Sequence, residues 1–107
     1  MKKRIVYSKQ VESFLGALSA SARSSVLTVF DLLSERGFLR APYAEKVVGQ
    51  NGLFEVRAKD FVGQYRVFYV YADGDLIFAL SGFTKKTAKT PKSEIDKALK
   101  VRKELGL

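Results

Sequence analysis

Residues 52–83, GLFEVRAKDFVGQYRVFYVYADGDLIFALSGF, hold three β-rich runs with two short interruptions, and they constrain the fold more than any other part of the chain. The runs span about 53–58, 64–71 and 76–83. Asp73-Gly74 separates the last two, and Asp-Gly between alternating apolar runs is a strong hairpin signal because both central turn positions favour positive φ. A sheet this apolar must be covered, and the flanking segments carry helical periodicity to cover it.

RIVYS (4–8) is a short strand by composition. Ser8 can cap a helix over about 9–18, with Val11, Phe14, Leu15 and Leu18 on one stripe. Ser19 or Ser21 can cap a second helix reaching about Glu35. Its stripe is Val26, Val29, Phe30 and Leu33, and Gly37 is the stop residue. This helical hairpin is expected to pack on the sheet. At the other end, Thr90 is the expected N-cap of a last helix, with Pro91 at its first position and Glu94 in its first turn. Ile95, Ala98, Leu99 and Leu105 supply its apolar face. The order is β-α-α-β-β-β-α: one α+β domain on an antiparallel sheet, with the helical hairpin on one face, in a chain of 107 residues.

Register decides which side chains meet. A two-residue turn at Asp73-Gly74 pairs Tyr71 with Leu76, Tyr69 with Phe78, Val67 with Leu80, and Arg66 with Ser81. Val67, Tyr69, Tyr71, Leu76, Phe78 and Leu80 then form the core face, under the helical hairpin. With Arg57 opposite Arg66, Phe54 and Val56 join that face, and a one-residue slip would expose them. The other face gathers Arg57, Arg66, Ser81 and Phe83 at one end, with Glu55 close by. Two arginines directly opposite each other repel by up to ~1 kcal/mol, so an anion belongs between them, either Glu55 or a phosphate.

Net charge is +8, and the two ends of the chain hold the excess. Lys2, Lys3, Arg4 and Lys9 stand against no acid in the first ten residues. GFTKKTAKTP, residues 82–91, adds Lys85, Lys86 and Lys89 beside the arginine pair. Such a footprint fits a polyanion or an acidic partner, and the alternative is solvated surface charge. With no cysteine and no histidine, a disulfide scaffold and a Cys/His metal site are excluded, and no cofactor is expected. The basic start is followed by no long apolar run. We therefore expect neither signal peptide nor membrane span, and a cytoplasmic location.

GLFEVRAKDFVGQYRVFYVY, FALSGFTKKTAKTP and SEIDKAL resemble the RelE/ParE superfamily of toxins from bacterial toxin–antitoxin pairs, in its phage-derived, HigB-like branch. The resemblance covers about residues 46–105. It implies an mRNA-cleaving endoribonuclease that works on translating ribosomes and is silenced by a cognate antitoxin, usually a helix-turn-helix repressor. It implies that Arg57 and Arg66 are the strand arginines of the active face, that Lys85 and Lys86 are the basic pair after the last strand, and that Phe83 is the adjacent aromatic. Many relatives carry His before that aromatic, where this chain has Ser81 and Gly82. On this reading the arginines clamp the scissile phosphate, Lys85 or Lys86 is the acid or base, and Glu55 is a second base candidate. Phe83 stacks on a base, and Ser81 and Lys89 contact RNA. Some superfamily members inhibit DNA gyrase instead, so the alternative is a non-enzymatic inhibitor or a nucleic-acid-binding module.

Overall fold

The computed structural model describes residues 2–107. In chain order it contains β1 (Arg4–Tyr7), α1 (Lys9–Ala17), α2 (Ala20–Arg36), β2 (Ala44–Lys46), β3 (Phe54–Lys59), β4 (Gln64–Tyr71), β5 (Leu76–Lys85) and α3 (Lys92–Glu104). The sequence reading holds for every element except β2, whose three residues, Ala-Glu-Lys, carry no β signature of their own. β2 forms by pairing with β3, where Glu45 faces Glu55 and Lys46 faces Phe54.

Local chemistry sets the helix ends. Ser8 and Ser19 accept hydrogen bonds from the amides of Val11 and Ala22, at 3.1 and 3.2 Å. Gly37 closes α2 at φ 78°, a left-handed conformation that favours glycine, and its amide donates to Leu33 O. α3 starts one residue later than the sequence suggests. Pro91 occupies the cap position with no side-chain capping bond, and Thr90 is free for another partner.

The five strands form one sheet in the order β1-β5-β4-β3-β2. It is a mixed sheet, because β1 lies parallel to β5, with Ile5 beside Ile77 and Tyr7 beside Ala79. No hairpin links these two strands. The chain leaves β1 through the helical hairpin and returns to β5 only after crossing the rest of the sheet, so their direction is set by packing. On the first face, α1 and α2 cover Val56, Val67, Tyr69, Ile77 and Ala79. Phe30 anchors this layer, edge-on to Tyr7 and Tyr69. α3 covers the second face, placing Ala98 and Val101 against Leu53, Phe68, Val70, Leu80 and Phe83.

The β4–β5 register departs from expectation twice. Tyr71 pairs with Ile77, one residue beyond the position a two-residue turn allows, and Ala72 N donates to Leu76 O at 2.9 Å. The loop is therefore longer, with Gly74 at φ 70°. This puts Ile77 and Ala79 on the first face and removes Leu76, Phe78 and Leu80 from it. A bulge between Phe68 and Tyr69 in the pairing then shifts the ladder again, so that Phe68 faces Ser81 and Arg66 faces Phe83. The two shifts cancel in parity. Ser81 and Phe83 return to the face of Arg66.

Candidate nucleic-acid interface

At the end of the sheet away from Asp73-Gly74, three rungs cross β3, β4 and β5. They are Glu55–Phe68–Ser81, Arg57–Arg66–Phe83 and Lys59–Gln64–Lys85. Strand alternation directs all nine side chains to the second face. The opposed arginines expected from sequence are present, and Glu45 of β2 extends the first rung because it stands opposite Glu55.

The acidic rung neutralises the basic one diagonally. Glu55 Oε1 lies 3.2 Å from Arg66 Nε, and Glu45 Oε2 accepts from Arg57 Nη2 at 2.8 Å. The two pairs have different surroundings. Arg66 and Glu55 are only 7% and 5% exposed. Arg66 also donates from Nη1 to Tyr65 O and from Nη2 to Gln64 Oε1, so its plane is fixed. Burial lowers its hold on the proton, Glu55 opposes that loss, and Arg57 adds to it. An arginine nonetheless remains cationic under all working conditions. The Arg57 side chain is 31% exposed, and its partner Glu45 is more exposed still. Arg57 is thus the more accessible arginine of the pair.

Beside this pair lies a groove of about 520 Å³, lined by Arg57, Arg66, Lys59 and Gln64 of the sheet, by Pro42 and Tyr43, and by Ser25, Thr28 and Val29 of α2. Its origin is the shortness of β2, whose pairing ends at Ala44 opposite Val56. Beyond that point Arg57 N donates to Tyr43 O at 2.8 Å, and the outer edge of β3 near Ala58 and Lys59 has no strand beside it. A cationic wall, an aromatic residue and an open strand edge meet there.

The other expected site residues are distributed as follows. Lys85 ends β5 opposite Gln64 and is half-buried, while Lys86 and Lys89 are exposed on the loop to α3. Thr87 Oγ1 donates to Lys89 O, and Thr90 Oγ1 donates to Glu55 Oε1 at 3.3 Å. Thr90 therefore ties this loop to the ion pair and does not cap the helix. Phe83 corrects the reading of an exposed stacking aromatic. It is 8% exposed and stacks on Phe68 at 5.8 Å, under α3. Ser81 is opposite Phe68, not Arg66, and lines a separate cavity with Gln10, Gly82 and Glu94. On the second face Lys59 and Gln64 are exposed and Arg57 and Lys85 are half-buried, whereas α3 covers Phe68, Val70, Leu80 and Phe83. Lys59 and Gln64 share the parity of Arg57 and Arg66; Gln64 lies within the run 64–71, and strand alternation would have paired it with Lys59 had β3 been drawn one residue longer. Glu45 could not be found without β2.

A family profile described as phage-derived protein Gp49-like (DUF891) matches residues 13–103. No curated protein sequence matches. Among solved structures, the fold is similar to a mutant of the Escherichia coli toxin RelE in the free state, with a TM-score of 0.72 at 17% identity, covering 94% of this chain and 97% of that one. It is also similar to the archaeal RelE–RelB complex from Pyrococcus horikoshii OT3, with a TM-score of 0.64 at 27% identity, covering 82% of this chain and 100% of that one.

Proposed function

The chain belongs to the phage-derived Gp49-like family and has a RelE-like fold, and from this we propose that it is the toxin of a toxin–antitoxin pair that cuts mRNA on translating ribosomes. The observation that carries the reading is the opposed pair Arg57 and Arg66 on the wall of an open groove. A phosphate accepts the planar, bidentate contact that guanidinium groups offer.

In the proposed reaction the ribose 2′-oxygen loses its proton and attacks the adjacent phosphorus. The bond to the 5′-oxygen breaks, and that oxygen takes up a proton. The products are a 2′,3′-cyclic phosphate and a 5′-hydroxyl. Arg57 meets the phosphate from the groove and carries the charge that grows on its oxygens. Arg66, held flat by Tyr65 O, Gln64 and Glu55, keeps a second positive charge behind it. Lys85 and Lys86, with Lys59 across the rung, are the groups proposed to move protons. Glu55 is buried between Arg66 and Thr90, so we assign it as the counter-ion that orients Arg66, not as the base. Lys89 contacts the RNA backbone on the exposed loop. A ribosome holding the message in place supplies orientation that the site itself lacks. The proposed partners are therefore mRNA, the ribosome and a cognate antitoxin; a helix-turn-helix type for the antitoxin is part of the proposal.

The test is induced expression of the wild type, Arg66→Ala and Lys85→Ala/Lys86→Ala, read as growth arrest and transcript cleavage. Both variants are expected to lose cleavage by at least ~100-fold, the loss typical for one stabilising donor at a developing anion. Retention of arrest and cleavage by both would refute the assignment. A DNA-damage response without transcript cuts would favour gyrase inhibition.

A further inference from the structure

The turn between β3 and β4, Asp60-Phe61-Val62-Gly63, presents an aromatic ring to solvent for which the fold has no use. Phe61 is 109% exposed, and Val62 beside it is also exposed. Exposed single apolar residues are ordinary on mobile loops, but this turn is braced. The Asp60 carboxylate accepts from Val62 N at 2.9 Å, Gly63 N at 3.0 Å, Tyr65 Oη at 2.9 Å and Ser21 Oγ at 2.9 Å. Asp60 N donates to Gly63 O. These bonds anchor the turn to β4 and to α2 at the groove wall. A rigid mount loses little entropy when its ring meets a ligand.

Its position identifies the ligand class. The turn directly follows Lys59 and directly precedes Gln64, the two residues of the outermost rung, whose third member is Lys85. The exposed ring therefore stands at the turn just past this outermost rung, which is itself one rung beyond the arginine pair. A flat apolar surface next to a row of cations matches a nucleic-acid strand, which offers a base face and phosphates together. We propose that Phe61 is the stacking platform for an unpaired RNA base next to the phosphate held by Arg57. It takes the part for which Phe83, stacked on Phe68 beneath α3, has no free face. This inference rests on the RNA-cleaving reading above.

The chain contains no tryptophan, so Phe61→Trp introduces a single reporter at a position where no packing is disturbed. The probe is a single-stranded RNA oligonucleotide methylated at every 2′-oxygen, which cannot be cut because no 2′-hydroxyl is left to attack the phosphate. Quenching of the introduced indole on titration is expected, together with ~5- to 150-fold weaker binding by Phe61→Ala, the loss that corresponds to one base–aromatic stack. Arg57→Ala separates the two readings. If Arg57→Ala weakens binding while the Phe61→Trp signal stays silent and Phe61→Ala binds normally, the platform is disproved and the RNA reading survives. If neither variant alters binding, the RNA reading itself falls and takes the platform with it. An indole that responds to the purified cognate antitoxin but not to the oligonucleotide makes the turn a protein-docking tip and overturns the proposal.

Discussion

Arg57 and Arg66 show how far single residues could be read from the sequence. Their direct opposition followed from keeping Phe54 and Val56 buried, and the structure has that register. Phe83 and Ser81 were placed on the correct face through a turn assumed to be too short and a bulge not foreseen, whose effects cancel. Neither feature has a residue signal that outweighs the Asp-Gly pattern, since Leu80 at the bulge would pack equally well in a regular strand. Gly82 does have a physical reason. A Cβ there would lie 2.5 Å from Phe14 Cδ2 and 3.1 Å from Arg66 O. Gly82→Ala is expected to destabilise the fold by about 1–3 kcal/mol, the usual cost of overpacking, and a shifted urea midpoint would measure it. Asp60 makes a second residue-scale prediction. Desolvation opposes its ionisation, but hydrogen bonds from Gly63, Tyr65, Val62 and Ser21 outweigh that and hold its carboxyl below the ordinary value. A lowered folded value gives stability that is present above the unfolded value of about 3.9 and is lost as pH falls from there through the lower folded value. Urea unfolding between pH 6 and 3 should show this acid-side loss, and Asp60→Asn should make it shallower.

Among the elements, helices were the most legible because caps and stripes are local. Ser8, Ser19 and Gly37 do what their sequence positions suggest. Sheet partners were less legible because they depend on distant segments. β2 exists only through β3, and the direction of β1 is set by its place beside β5. The destination of α3 was missed, although the apolar character of Phe68 and Val70 required some cover for the second face. That cover explains why Phe83 is core. The layer joining β1 to α2 makes an element-scale prediction. Burial, aided by the charge of Asp31, pushes the Tyr7 hydroxyl up to about 12. The unfolded phenol ionises near pH 10, so the stabilisation holds below about pH 10 and is lost as pH climbs from there towards 12. Circular dichroism during urea unfolding at pH 8 to 11.5 should show this decline. Tyr7→Phe should reduce it, and an unchanged slope would exclude Tyr7 as a source.

Over the whole molecule, the basic footprint divides. Arg4 pairs beside Leu76, at the Asp73-Gly74 end of β5, whereas Lys85 closes its other end. Ten residues of strand separate the two by roughly 30 Å, so the two basic termini do not form one patch. Only the Lys85 end joins the arginine pair and the groove. Binding of single-stranded RNA should therefore lose salt sensitivity when Lys85 and Lys86 are replaced, with the log–log slope reduced by about 0.7 for each phosphate contact removed. Removing Lys2 and Lys3 should leave the slope unchanged. Among the described residues no helix is long and apolar enough to cross a membrane. RNA cleavage that depends on the Arg57–Arg66 pair is read by sequencing 5′-hydroxyl transcript ends minutes after induction. New ends should accumulate with the wild type and be absent with Arg57→Ala/Arg66→Ala expressed at the same level. Equal accumulation of such ends in both would mean that the arginine pair does not cut RNA.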